Sequence, residues 1–131
     1  MIQVVTREWE ITKNYFVKVA MIPGMINLEW NDFEKKAQKG RPAVEVKVDE
    51  LLDISSMIEK AFEEVKKNIN GTLSGLILVI SYKKELMMEE LNELDSILPK
   101  LSENNVDVSF GILQDEQTEN DNCITIYAFE R

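Results

Sequence analysis

Asn27, Glu29 and Asp32 lie close together in the stretch PGMINLEWND, residues 23–32. An amide and two carboxylates in one short turn are acceptors that can orient a water molecule for attack, because a charged oxygen fixes the direction of the water's protons. Pro23 and Gly24 supply a turn to present them, and Trp30 stands between the acids as a candidate anchor. The same residues also fit a plain helix start. Acids in a first turn gain about 0.3–1 kcal/mol each from the helix dipole, and Asn27 can cap or turn. Other candidates are weaker. Asp115, Glu116, Glu119 and Asp121 could gather a calcium ion, but their spacing is not that of an EF-hand and its glycine is missing. They read as a polar hairpin loop. The methionines read as core filler rather than a metal site.

Composition narrows the field. A chain of 131 residues suits one domain, residues 1–131, with a single core. Fifteen basic against twenty-four acidic residues leave a net charge of −9, which repels both nucleic acid and anionic lipid. There is no histidine, which removes Ser-His-Asp, Cys-His and His-based zinc chemistry. The single cysteine, Cys123, forms no internal disulfide, and a cytoplasmic location is expected. Charges interrupt the N-terminal residues before a signal-peptide core could form, and the longest apolar run, Leu76 to Ile80, is far too short to span a membrane. No metal or cofactor is expected in this chain.

The elements that would position the loop follow from periodicity. Val5, Trp9, Phe16 and Val19 fall on one helical stripe with Thr12 in its middle, flanked by Ile11, Tyr15 and Ile22, so residues 5–21 read as a leading helix with Thr6 as a cap. Pro23-Gly24 ends it. A second helix runs from about Glu29 to Lys39, with Trp30, Phe33 and Ala37 on one side and Gly40 as a left-handed cap. Alternation marks a strand over 43–48. A helix over 50–68 follows, capped by Asp49, with the stripe Leu51, Ile54, Ile58, Ala61, Val65. LILVIS, residues 76–81, is a central strand. The helix from 87 to about 102 carries Met87, Leu91, Leu94, Leu98 and Leu101, with Pro99 near its end. Strands over 106–113 and 123–130 close the chain, expected as an antiparallel pair because they are adjacent in sequence. The fold class is α/β, an α+β two-layer arrangement with a four-stranded mixed sheet and helices packed on it.

These segments carry a family signature. ELMMEEL (85–91), FGILQDE (110–116) and the final ITIYAFE resemble the C-terminal domain of FtsZ, the bacterial tubulin-like cell-division protein. PGMINLEWNDF (23–33) independently resembles that family's Pro-Gly-Leu-Ile-Asn-x-Asp-Phe-Ala-Asp-Val loop. The resemblance covers about residues 10 to 131, and helix 5–21 (1–22 with its flanks) would correspond to the end of the family's long central helix. It implies a fold like the FtsZ/tubulin C-terminal domain. It also implies a role for residues 23–33 as the loop that completes GTP hydrolysis on the neighbouring subunit of a filament. By that resemblance Asn27, Glu29 and Asp32 would be catalytic in trans, and Pro23, Gly24, Trp30 and Phe33 would form the interface.

The departures shape the expectation. The family's nucleotide half cradles phosphate on a Gly-rich loop, and this chain has five glycines, none within three residues of another. GTP and Mg would therefore enter only with a separate GTPase domain, and the chain alone is not expected to be an enzyme. Glu29 is one methylene longer than the family's Asp, at a position where ångströms matter. Met87 replaces a capping Thr, at a cost of about 1 kcal/mol unless another group substitutes. The family's tail lies beyond the resemblance, which ends at Arg131.

The leading expectation is an association domain that contacts the nucleotide face of an FtsZ-like GTPase or caps its filament end, with self-association as a further possibility. One alternative is a small α/β ligand-binding domain, which a pocket of convergent polar groups away from 23–33 would favour. Another is a structural protein that pairs strand 123–130 edge to edge with its copy.

Overall fold

The computed structural model describes residues 1–22 and 24–131. The chain order is β1 (Ile2–Val5), α1 (Glu8–Met21), β2 (Gly24–Ile26), α2 (Trp30–Lys39), β3 (Arg41–Val48), α3 (Ile54–Asn68), β4 (Leu73–Tyr82), α4 (Met88–Leu101), β5 (Asp107–Gln114) and β6 (Asn122–Glu130). The sheet has six strands in the order β1-β3-β6-β4-β5-β2, not four. The two extra strands are short edges. Residues 2–5, expected as the flank and first residue of the leading helix, pair antiparallel with Glu45–Val48 of β3. Gly24 and Ile26 pair with the end of β5.

β5 and β6 are not a hairpin. β5 runs parallel to β4, while β6 lies on the other side of β4, antiparallel to both β4 and β3. The segment between them is long enough to cross over the end of β4. Inserting β6 there gives β3 and β4, which run parallel, a shared antiparallel partner. The last strand therefore has no free edge, which removes the edge-to-edge pairing of 123–130 with a copy.

Both faces of the sheet are covered, so the arrangement has three layers rather than two. On one face α3 (Ile54, Met57, Ile58, Ala61, Val65) and α4 (Leu94, Ile97, Leu101) pack on alternate residues of the central strands. On the other, Ile11 and Tyr15 of α1 and Phe33 of α2 pack on Ile77, Val79, Leu113, Tyr127 and Phe129. Burial on both faces is why β4 and β6 are almost continuously apolar.

Several local expectations change. α1 buries the Ile11–Tyr15 side and leaves Trp9 and Phe16 exposed, the reverse of the expected stripe. Its N-cap is Arg7, with no side-chain cap bond, rather than Thr6. On α2 the buried partner of Phe33 is Lys36, whose Nζ reaches Ser109 Oγ and lies 3.6 Å from Asp107, while Ala37 faces outward. Gly40 has φ −165°, extended rather than left-handed. α3 is capped by Asp53, which accepts from Ser56 N–H at 2.7 Å, so Leu51 lies outside the helix. On α4 the missing Thr cap is offset by Glu90, which accepts from Met87 N–H at 2.9 Å. Among the described residues no helix is long and apolar enough to cross a membrane.

Candidate functional site

The loop resembling a water-orienting segment is held from three sides. Gly24 and Ile26 are stitched to Leu113 and Ile112 of β5. Leu28 drops back into the core, 7% exposed, over Gly111. There is no room for more: a Cβ on Gly111 would stand 2.6 Å from Leu28 Cγ and 3.0 Å from the Ile26 carbonyl oxygen. Gly111→Ala is therefore expected to displace the 26–28 backbone and lower stability by roughly 1–3 kcal/mol. Urea denaturation measures it, and a change below about 0.5 kcal/mol would show that the loop is not seated on Gly111.

Glu29 begins α2 as its N-cap. Its carbonyl accepts from the Tyr15 hydroxyl at 2.8 Å and from the Asp32 N–H at 3.1 Å. Its own N–H donates to Asp32 Oδ2 at 2.7 Å. Asp32 thus supplies the reciprocal half of a capping box, satisfying a helix N-terminal donor. The Glu29 side chain and Asn27 are exposed, and Asn27 makes no side-chain hydrogen bond among the described residues. The turn therefore brings Asn27, Glu29 and Asp32 together with one carboxylate engaged in the cap and one facing solvent. Burial drives the Tyr15 phenol well above its ordinary range, and the charges of Asp32 and Glu29 add to that, so Tyr15 stays a hydrogen-bond donor to the loop.

The expected interface residues separate. Pro23 lies outside the described residues. Gly24 is part of β2. Trp30 is half-buried, stacked on Phe33 at 5.2 Å and edge-on to Phe16 at 5.7 Å. Phe33 is 1% exposed, so it supports the loop from beneath and is not available to a partner.

Beside the loop itself Met25, Ile26 and Phe16 reach solvent, and further exposed apolar residues sit in turns elsewhere along the same end of the sheet. Leu51 and Leu52 follow β3, and Met87 and Met88 follow β4. Leu51 is 89% and Met88 72% exposed. β3, β4 and β5 run parallel, so these turns and the Met25–Ile26 pair beside the end of β5 share the carboxyl end of the sheet. That end of a parallel sheet is where loops generally carry function. Leu51 and Met87 were expected on helix stripes. The signals against that placement were Asp53 ahead of Ile-Ser-Ser, a stronger cap than Asp49, and Glu90 placed to bond the Met87 N–H. The acidic 115–121 segment closes the same end: Asp49 accepts from the Glu119 N–H, the Asn120 N–H and the Asn120 amide. Among the described residues no group of three or more His, Cys, Asp or Glu is placed to hold a metal ion. Cys123 is buried, and burial pushes its thiol up to about 11, so it is an inert core residue.

No family model matches the chain, and no curated protein matches it. Among solved structures it is similar to an empty FtsZ dimer from M. jannaschii, with a TM-score of 0.58 over 87% of this chain at 14% sequence identity. The chain spans 34% of that solved chain, about a third of its length. The fold is FtsZ-like.

Proposed function

We propose that this chain is an association domain that docks the carboxyl end of its sheet against the nucleotide face of an FtsZ-like GTPase, in a filament or at its end. The observation that carries the reading is that the turns bearing exposed Leu51, Leu52, Met87 and Met88 and the exposed Met25–Ile26 pair all lie at the carboxyl end of the sheet. Exposed apolar residues rimmed by polar ones mark association surfaces. The FtsZ-like fold and the order PGMINLEWNDF support the choice of partner. In that complex Asn27 and Glu29 would face the partner's nucleotide and Asp32 would hold the turn. Hydrolysis would need the partner's phosphate site, with its GTP and Mg. Sedimentation of the chain with an FtsZ-type GTPase tests the docking. Leu51→Asp or Met25→Asp is expected to weaken the complex by about tenfold or more, the scale of an interface anchor. Equal affinity of both variants and the parent chain would contradict it.

A second reading, a ligand-binding α/β domain, is favoured by one observation. A cleft of about 660 Å³ lined by convergent polar groups opens between α1 and the sheet, with no residue of 24–33 in its lining.

A further inference from the structure

The layer formed by α1 and α2 does not fully cover its face of the sheet. Over β1, β3 and β6 a cleft of about 660 Å³ remains. Its walls carry charge in an unusual state. Lys18 of α1 and Lys47 of β3 are both half-buried and line the cleft, and among the described residues neither ammonium has a carboxylate within 4 Å. Burial is the main cause that lowers Lys18 below its ordinary value, and Lys47 lowers it further, although Cys123, Asp115 and Glu45 act in the opposite sense. On the floor, Thr125 is 1% exposed, and its Oγ1 is buried without a hydrogen-bond partner. An orphaned hydroxyl at the bottom of a cleft between two unpaired ammoniums is costly without a ligand. Asp115 and Glu116 also line the cleft; against them, an oxyanion is drawn by the Lys18 and Lys47 ammoniums and offers the Thr125 hydroxyl an acceptor.

We propose that this cleft binds a small organic acid, with its carboxylate or phosphate held by Lys18, Lys47 and Thr125 and an apolar body against Val17 and Ile22. Glu45 shapes the other end. One of its oxygens accepts from the Asn14 amide at 2.9 Å, and the side chain is 9% exposed, so its second oxygen can take an N–H or O–H from the ligand. A purely apolar or cationic ligand would leave the ammoniums and the threonine unsatisfied. The cleft shares the 114–117 segment with the docking end, but none of Met25, Leu51, Leu52, Met87 or Met88 lines it, so the lysine variants and the docking variants test the two proposals separately. This proposal deepens the ligand-binding reading and rests on the cleft, not on the turn at 24–29.

The test is calorimetric titration of the full chain with benzoate, phenyl phosphate and, as neutral control, benzyl alcohol. At least one acid is expected to bind about tenfold or more tightly than the alcohol, 1.4 kcal/mol. Lys18→Met and Lys47→Met are each expected to weaken that acid by about tenfold, and Thr125→Val by a smaller factor. The preferred acid then separates a carboxylate source from a phosphate one. All three variants replace a poorly satisfied polar group by an apolar one of similar shape and are expected to unfold at the parent's temperature or above. Lost binding with retained folding is thus a site effect. Absence of binding by both acids, equal binding of benzyl alcohol, or acid binding unchanged in both lysine variants overturns the proposal.

Discussion

Tyr15→Ala is expected to cost about 3–5 kcal/mol, the range for removing a fully buried aromatic ring. Tyr15 is 0% exposed and is the hub of the α1–α2 layer. Its ring meets Phe33 at 4.9 Å and Tyr127 edge-on at 5.2 Å, and its hydroxyl holds the Glu29 carbonyl. The alanine variant leaves a cavity under the turn and frees the N-cap of α2. A loss of this size is a large share of the roughly 5–15 kcal/mol that holds a domain folded. Tyr15→Phe separates the two contributions. It keeps the ring contacts and is expected to lose about 1 kcal/mol for the hydrogen bond alone, with the effect concentrated at residues 24–32. Urea denaturation gives both values, and hydrogen exchange at the Asp32 amide reads the local part. Equal losses for the two variants would mean that ring packing contributes little.

Asp49→Ala is expected to cost about 3 kcal/mol, because charge-assisted hydrogen bonds are the strong ones and their donors would be left without an acceptor. Asp49 is 2% exposed and accepts at 2.9, 3.1 and 3.0 Å from the 119–120 turn. Its backbone also exchanges hydrogen bonds with Met1, which anchors β1. Burial alone would raise its carboxyl, but the hydrogen bonds from Glu119 and Asn120 outweigh that and hold it below the ordinary 3.8. A carboxylate whose folded value is depressed stabilises fully above its unfolded value and loses that contribution as pH falls through the folded one. The gap between parent and Asp49→Ala is therefore expected to be full above pH 3.8 and to shrink below it. A pH-independent gap would assign the effect to the backbone of the 49–53 turn instead.

The elements best read from sequence were those with one strong periodicity. α2, α3, α4, β4 and β6 fall close to where their patterns place them. α1 was harder because it carries two apolar faces. Trp9 and Phe16 lie seven residues apart on one, Ile11 and Tyr15 four apart on the other, and helical spacing alone cannot rank them. The sheet beneath chooses the second. β1 and β2 carry only four and three residues, and β2's partner lies almost ninety positions away, so neither has a local signal. Adjacency argued for a β5–β6 hairpin, yet CITIYAF is apolar on both faces, the mark of a central strand. The 27–29 turn was legible as a turn with acids leading into a helix. That Asp32 spends a carboxylate oxygen on the helix cap, and that Phe33 lies beneath the turn, depends on Tyr15 and Gly111, far away in sequence. The cleft beside Lys18 and Lys47 was not legible, since it forms only where the helical layer leaves the sheet uncovered.

The docking account is tested most directly by adding the chain to a polymerising FtsZ-type GTPase and recording polymer mass and GTP turnover together. The account expects a dose-dependent change in polymer mass and turnover with the parent chain, and a much smaller one with Leu51→Asp. No change in either quantity, at concentrations well above the polymer's critical concentration, would contradict it.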